Sequence, residues 1–288
     1  MTFSIVAFDP ASRSWGVAVA SKCLAVGFAV PWGGAEVGAI ATQALANLSY
    51  GPKGLELLRS GLGATETVAR LTADDPLVDQ RQLAVVDRTG ATANHTGTRC
   101  MDWKGHHPGE NFTTQGNLLD GPQVVDAMAE AYDPEEAHFG QRLLHCLQAG
   151  EAAGGDRRGL ESAAMSIWQE GAAYGGGLDI GTDLRVDDHA APITELGRLL
   201  DLHFLYFERP DPATLLPLEG ALAGEVTDAL VAVGYPPDDH ESLDRAFAAW
   251  SGVNNFEERT LPGQLDPIVW AILREQAATA FPGHAGRE

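Results

Sequence analysis

The strongest constraint on the fold is that strand-forming and helix-forming segments come in blocks rather than in alternation. Phe3–Phe8 and Trp15–Ala20 flank a turn-forming stretch, Asp9-Pro10-Ala11-Ser12-Arg13-Ser14, and read as a hairpin. Two Gly-punctuated apolar runs, Ala25–Pro31 and Val37–Thr42, extend the strand block. Two helices follow. One opens at Tyr50-Gly51-Pro52, and the other carries Val68 and Leu71 behind Thr65 as N-cap and stops at Asp74-Asp75-Pro76. Gln82–Asp87 and Ala91–Thr96 form a second hairpin around Arg88-Thr89-Gly90. Asp102–Glu110 reads as a loop and Phe112–Leu118 as a strand. The helices Gln123–Tyr132 and Pro134–Ala153, the strands Ser162–Trp168 and Asp183–Val186, and the amphipathic helix Pro192–Phe207 complete the order. Parallel strands need a crossover between successive members, and paired helices between hairpins do not supply one. The expected class is therefore α+β, with antiparallel sheets sandwiched between helical layers in the order α-β-β-α.

Composition shifts at Glu208-Arg209-Pro210-Asp211-Pro212, which reads as a linker between a domain spanning 1–207 and a small all-α domain spanning 208–288. Its helices are expected at Leu218–Val233, Leu243–Trp250 and Asp266–Ala278, with Gly234–His240 as a turn. The chain carries 19 Lys and Arg against 40 Asp and Glu, a formal charge of −21. Such a surface disfavours nucleic acid and anionic membrane as partners, since each phosphate contact needs a cation. No apolar run reaches the roughly 20 residues that span a bilayer. A signal peptide's basic and apolar regions are lacking too, so a cytoplasmic location is expected. Cys23, Cys100 and Cys146 are widely spaced and read as free thiols.

The chemistry points to Thr2. Removal of Met1 is expected ahead of a residue as small as threonine, and leaves Thr2 with a free α-amine of ordinary pKa about 7.7–8.0. Such an amine can take the proton of Thr2's own hydroxyl and so activate it as a nucleophile. Lys22 lies just past the end of the antiparallel partner strand, where its ammonium would lower the amine's pKa. Other motifs are weaker. His95, His106 and His107 near Asp102, and Asp187-Asp188-His189, lack zinc-ligand spacing and read as solvated loop residues. Gly154–Gly159 follows a helix and precedes a strand, the reverse of a phosphate cradle, and reads as a helix C-cap. No metal or cofactor is expected.

Thr2–Ala7, Gly16–Lys22, Val30-Pro31-Trp32, Gly38–Gln43, Ser49–Leu55, His95-Thr96-Gly97, Gln115-Gly116-Asn117, Gly154–Arg157 and Asp183–His189 follow one another in an order that resembles the family called domain of unknown function 1028. The resemblance covers about residues 1–206. It implies the N-terminal-nucleophile hydrolase superfamily, whose members share a four-layer α-β-β-α sandwich. They cleave amide bonds with an N-terminal Thr, Ser or Cys, here Thr2. The tail, through Gly234-Tyr235 and Asn254–Arg259, resembles a peptidoglycan-binding domain.

The first reading is an amidohydrolase acting on a small amide-containing substrate. Thr2 would be nucleophile and base, with Lys22 tuning the amine. Donors at Thr42, Gln43 or Asn117 would stabilise the oxyanion, and Asp156 and Ser162 would orient the amine. The alternative is a non-catalytic binding protein whose tail recognises a glycan or peptide. A metal-dependent hydrolase built on the histidines stands third. Peptidoglycan-derived fragments and a second copy of the chain, as a homodimer, are the other candidate partners.

Overall fold

The computed structural model describes residues 2–238 and 240–280. The chain divides into two compact units, residues 1–200 and 201–288, with the division inside helix α6 (Pro192–Phe207).

The first unit holds two antiparallel sheets. Strands β1 (Thr2–Asp9) and β2 (Ser14–Ser21) form the opening hairpin. After the short α1 (Val26–Ala29) come β3 (Pro31–Gly34) and β4 (Gly38–Ala44), then α2 (Tyr50–Arg59) and α3 (Ala64–Thr72). β5 (Arg81–Asp87), β6 (Thr92–Thr96), β7 (Lys104–Gly109) and β8 (Phe112–Asn117) precede α4 (Gln123–Glu130) and α5 (Phe139–Ala152). β9 (Ser162–Trp168) and β10 (Ile180–Val186) lead into α6. One sheet runs β10-β9-β2-β1-β8-β7 and the other β3-β4-β5-β6. α4 and α5 pack on the first, α2 and α3 on the second.

Period-two alternation divides the strand residues between the two faces. Val6, Phe8, Trp15, Val17 and Val19 of the first sheet meet Ala39, Ala41, Ala84 and Val86 of the second in one buried core. Ile40, Leu83 and Val85 point the other way, into a cluster with Leu55, Leu58, Val68 and Leu71 of α2 and α3. α5 lies close on β2 because Gly16 has no side chain: a Cβ there would stand 2.6 Å from Leu143 Cδ1. Asp9 and Arg142, both buried, pair at 3.3 Å and tie the hairpin turn to α5.

Four local expectations are revised. Ala25–Pro31 is not a strand. Ala25 takes a left-handed φ of 52°, and the turn of helix after it presses Gly27 onto β9, where a Cβ would lie 2.6 Å from that of Ala164. Asp102–Glu110 is not all loop, since β7 pairs with β8 despite its His and Gly content. Pro108 is tolerated because β7 is an edge strand. α5 begins at Phe139, not Pro134. Finally, α3 is capped through space: Asp87 Oδ2 accepts the Ala64 N–H at 3.0 Å, and Thr65 lies inside the helix.

The second unit contains α7 (Gly220–Ala232), α8 (His240–Val253) and α9 (Pro267–Ala280), and the two-residue strand β11 (Leu216–Pro217), ahead of α7, pairs with β12 (Gln264–Leu265), between α8 and α9. Val226, Leu230, Phe247, Trp250, Phe256, Val269 and Leu273 form its core. Buried Arg259 meets Asp266 at 2.7 Å and donates to the carbonyls of Phe204 and Leu205. Asp239, within the expected turn 234–240, lies outside the described residues. Among the described residues no helix is long and apolar enough to cross a membrane.

A carboxylate clip holds the segment after β4. Asp75 accepts hydrogen bonds from Arg81 Nε (2.9 Å), the Tyr50 hydroxyl (2.7 Å), Asn47 Nδ2 (3.1 Å) and the Leu77 N–H (2.8 Å), while Arg81 also donates to the Leu45 carbonyl. Burial pushes the Asp75 pKa up, but these donors outweigh it and hold the group far below its ordinary 3.8. A depressed carboxylate contributes stability that is complete above its unfolded pKa and is lost as pH falls below it. Asp75→Asn should therefore lower stability at pH 7 by about 1–3 kcal/mol. The gap to wild type should narrow as the pH drops below about 4, as urea denaturation at several pH values would show.

Candidate active site

The space between the sheets changes character along its length. At one end Phe8 and Trp15 stack at 4.7 Å among Val and Ala. At the other, the same inward-facing positions are polar. Register places Lys104, Asn117, Thr2, Ser21 and Ser162 on one rung across β7, β8, β1, β2 and β9. The second sheet contributes a rung of Gln43, Gln82 and Thr96 across β4, β5 and β6. Directly opposed residues in paired strands project to the same side, so two polar rungs face each other.

Gln82 is the hub. Its Oε1 accepts from Gln43 Nε2 and Asn117 Nδ2, both at 2.9 Å. Its Nε2 reaches the Gly116 carbonyl (2.8 Å), the Gly105 carbonyl (3.1 Å) and Thr96 Oγ1 (3.1 Å), three acceptors for two protons. Gln43 Nε2 also donates to the Thr2 carbonyl at 3.3 Å, and Ser4 Oγ donates to Gln43 Oε1 at 2.7 Å. Gln115 Nε2 reaches Ser4 Oγ and the Ala41 carbonyl, while its Oε1 is buried without a partner among the described residues. Thr2 itself is buried, and its Oγ1 lies 3.1 Å from Ser21 Oγ.

The site residues expected from sequence distribute as follows. Thr2 and Asn117 are neighbours on the rung, with Ser162 two strands further along. Gln43 lies across from them, with both of its amide protons engaged. Thr42 alternates to the opposite face, where its hydroxyl reaches the Asn47 carbonyl at 3.4 Å. Lys22 stands one position beyond Ser21, and its Nζ pairs with Glu161 at 3.5 Å. Asp156, buried, accepts the Lys22 N–H (3.1 Å) and the Arg158 N–H (2.8 Å), fixing the loop after α5 against the end of β2. Ser162 Oγ accepts the Val26 N–H at 3.0 Å and donates to the Cys23 carbonyl. Met1, on whose removal the free amine depends, lies outside the described residues.

Ser4, Ser21, Gln82 and Gln115 were not singled out from sequence. Their signal was polar residues at inward positions of otherwise apolar strands. Three non-glycine residues in the left-handed region also stand at this end: Ala25 (φ 52°), Ala44 (φ 67°) and Leu118 (φ 58°). Ala44 and Leu118 immediately follow Gln43 and Asn117, turning the chain so that these amides stand at the strand ends. Such backbone costs about 1–3 kcal/mol per residue and clusters at functional sites.

The remaining candidates lie elsewhere. His95 Nε2 meets the Val78 carbonyl at 2.9 Å, and His107 Nδ1 meets Asp126 at 2.8 Å. Burial, with His95 adding to it, pushes the His106 pKa down. Among the described residues no group of three or more His, Cys, Asp or Glu is placed to hold a metal ion. Cys146 is fully buried and its thiol is pushed up to about 12, chiefly by burial, which makes it a poor nucleophile.

A two-sheet antiparallel α+β unit with a polar site at its N-terminal strand, followed by a helical unit, is thus the class of protein at hand. Residues 2–196 match the model of the "Family of unknown function (DUF1028)", and the chain belongs to that family. Residues 206–273 match a second model, described as "Putative peptidoglycan binding domain". Among solved structures, the crystal structure of a protein from Silicibacter pomeroyi, assigned to the same family of unknown function, is similar. It is 32% identical, the likeness covers 77% of this chain and 88% of that one, and the TM-score is 0.65. No curated protein matches the chain.

Gln82→Leu would leave two buried amide donors and the Gly116 carbonyl without their partner. We expect a loss of about 2–5 kcal/mol, read as the shift in a urea unfolding curve. Lys22→Gln, which breaks only a half-exposed ion pair, should cost less than about 1 kcal/mol.

Proposed function

We propose that this protein is an amidohydrolase of the N-terminal-nucleophile kind, its α-β-β-α layers presenting Thr2 as the nucleophile to a small amide substrate. The single observation that carries this reading is the position of Thr2. It begins a central strand, on a polar rung between Ser21 and Asn117, at the one end of the intersheet space lined by amides and hydroxyls.

The chemistry follows from that placement. Once Met1 is removed, the neutral α-amine of Thr2 takes the proton from Oγ1 as the oxygen attacks the substrate carbonyl. The resulting oxyanion needs donors. Gln43 has none to spare, whereas Asn117 Nδ2 spends one proton on Gln82 and carries a second, and the Ser21 hydroxyl is within reach of Thr2 Oγ1. Collapse of the intermediate breaks the C–N bond, and the leaving nitrogen takes the proton held by the α-ammonium. An ester on Thr2 Oγ1 remains. Water then adds to it with the same amine as base, releasing a carboxylic acid and restoring Thr2. Gln43, bound to the Thr2 carbonyl, acts as a positioning residue. Lys22 and Asp156 shape the adjoining loop, and Ser162 anchors the start of α1. A cytoplasmic setting is part of this proposal.

The second reading, a binding protein without catalysis, is favoured by the peptidoglycan-binding match over residues 206–273. In either case peptidoglycan-derived fragments are the ligand class to try first.

Intact-mass measurement of purified protein should show the chain without Met1. Incubation with a panel of N-acylated amino acids and peptides should add an acyl group at Thr2. Thr2→Ala should abolish turnover and the adduct while leaving the fold unchanged by circular dichroism. Ser21→Ala should lower kcat by about 10²-fold. Retention of Met1, or full activity in Thr2→Ala, would overturn the proposal.

A further inference from the structure

Within the C-terminal unit, α7 and α9 flank an open groove of about 440 Å³. Glu225, Asp228, Ala229 and Ala232 line it from α7 at positions i, i+3, i+4 and i+7, which share one helix face. Trp270, Arg274 and Ala277 line it from α9. We infer that this groove binds a short peptide bearing a free ammonium and a free carboxylate, the ammonium toward Glu225 and Asp228 and the carboxylate toward Arg274.

Charges of both signs line one groove, yet Arg274 closes no ion pair with either acid. Its guanidinium lies over the Trp270 ring instead, 5.4 Å from the centroid. The ring thus stations the cation on the α9 wall, and the two carboxylates stay exposed on α7. A ligand of matching polarity, ammonium at one end and carboxylate at the other, would pair with both walls at once. A sugar fits less well, because stacking needs an open aromatic face, whereas Trp270 is only 7% exposed and already carries Arg274. The groove reaches just past the segment that matches the peptidoglycan-binding model, residues 206–273. The inference rests on the peptide-recognising reading of this unit and not on Thr2 chemistry.

Calorimetric titration of the full chain with the dipeptide Ala-Ala, N-acetyl-Ala-Ala, Ala-Ala-amide and chitotetraose tests it. Wild type should bind Ala-Ala and lose at least tenfold in affinity on either capping. Arg274→Gln should bind the acid and the amide equally, and Glu225→Gln with Asp228→Asn should make N-acetylation indifferent. Unchanged melting of the variants would exclude misfolding. Equal affinity for capped and free dipeptides, no binding of Ala-Ala, or binding untouched by the variants would overturn the groove assignment. Chitotetraose binding that either variant abolishes would also overturn it, by placing a glycan in the groove.

Discussion

Two facing rungs of polar side chains, joined through the amides of Gln82 and Gln43, hold the ends of the two sheets together. Elsewhere, apart from Trp15 Nε1 donating to the Asp87 carbonyl and Thr113 Oγ1 to Asn94 Oδ1, both at 3.0 Å, the sheets meet through Val, Ala and aromatic side chains, which attract without direction and would tolerate a small slide. Amides do not. Each hydrogen bond across the gap works in one register only, so the network sets how strand β4 sits over strand β1. Neutral amides also suit a buried position better than charges, whose desolvation would cost several kcal/mol per ion. Gln82 both donates and accepts, and so serves both sheets with one side chain.

The intersheet space thus has a division of labour along its axis. Its aromatic end supplies cohesion through Phe8, Trp15 and their aliphatic neighbours. Its polar end gives up apolar burial for oriented donors and acceptors, and adds left-handed backbone at Ala44 and Leu118. Some stability is therefore given up around Thr2, the pattern expected where a protein preorganises polar groups.

Much of the architecture was legible from local signals. The opening hairpin, the hairpin around Arg88-Thr89-Gly90 and the paired helices all follow from periodicity and turn residues. So did Thr2 as the residue facing the end of β2. What escaped was non-local. β7 has little strand propensity of its own and exists because β8 offers it a ladder. The Ala25–Pro31 run is apolar because it packs on β9, not because it pairs in a ladder. Asp87 caps a helix that precedes it in the chain. Gln82 looked like the first polar residue of an ordinary strand; only the stacking of one sheet on the other makes it central. The α7–α9 groove depends on which faces of two helices meet, and no local pattern announces that.

Strand β1 lies inside its sheet, paired with β2 on one side and β8 on the other. Under the proposed mechanism this makes maturation a matter of timing. An aminopeptidase needs an extended, accessible terminus, and the strand that closes the second side, β8, is synthesised far behind β1. At about 5–20 residues per second, the delay is on the order of ten seconds. Trimming ahead of Thr2 would belong to that interval on the ribosome, before the sheet seals, and a chain that missed it would fold with its nucleophile blocked.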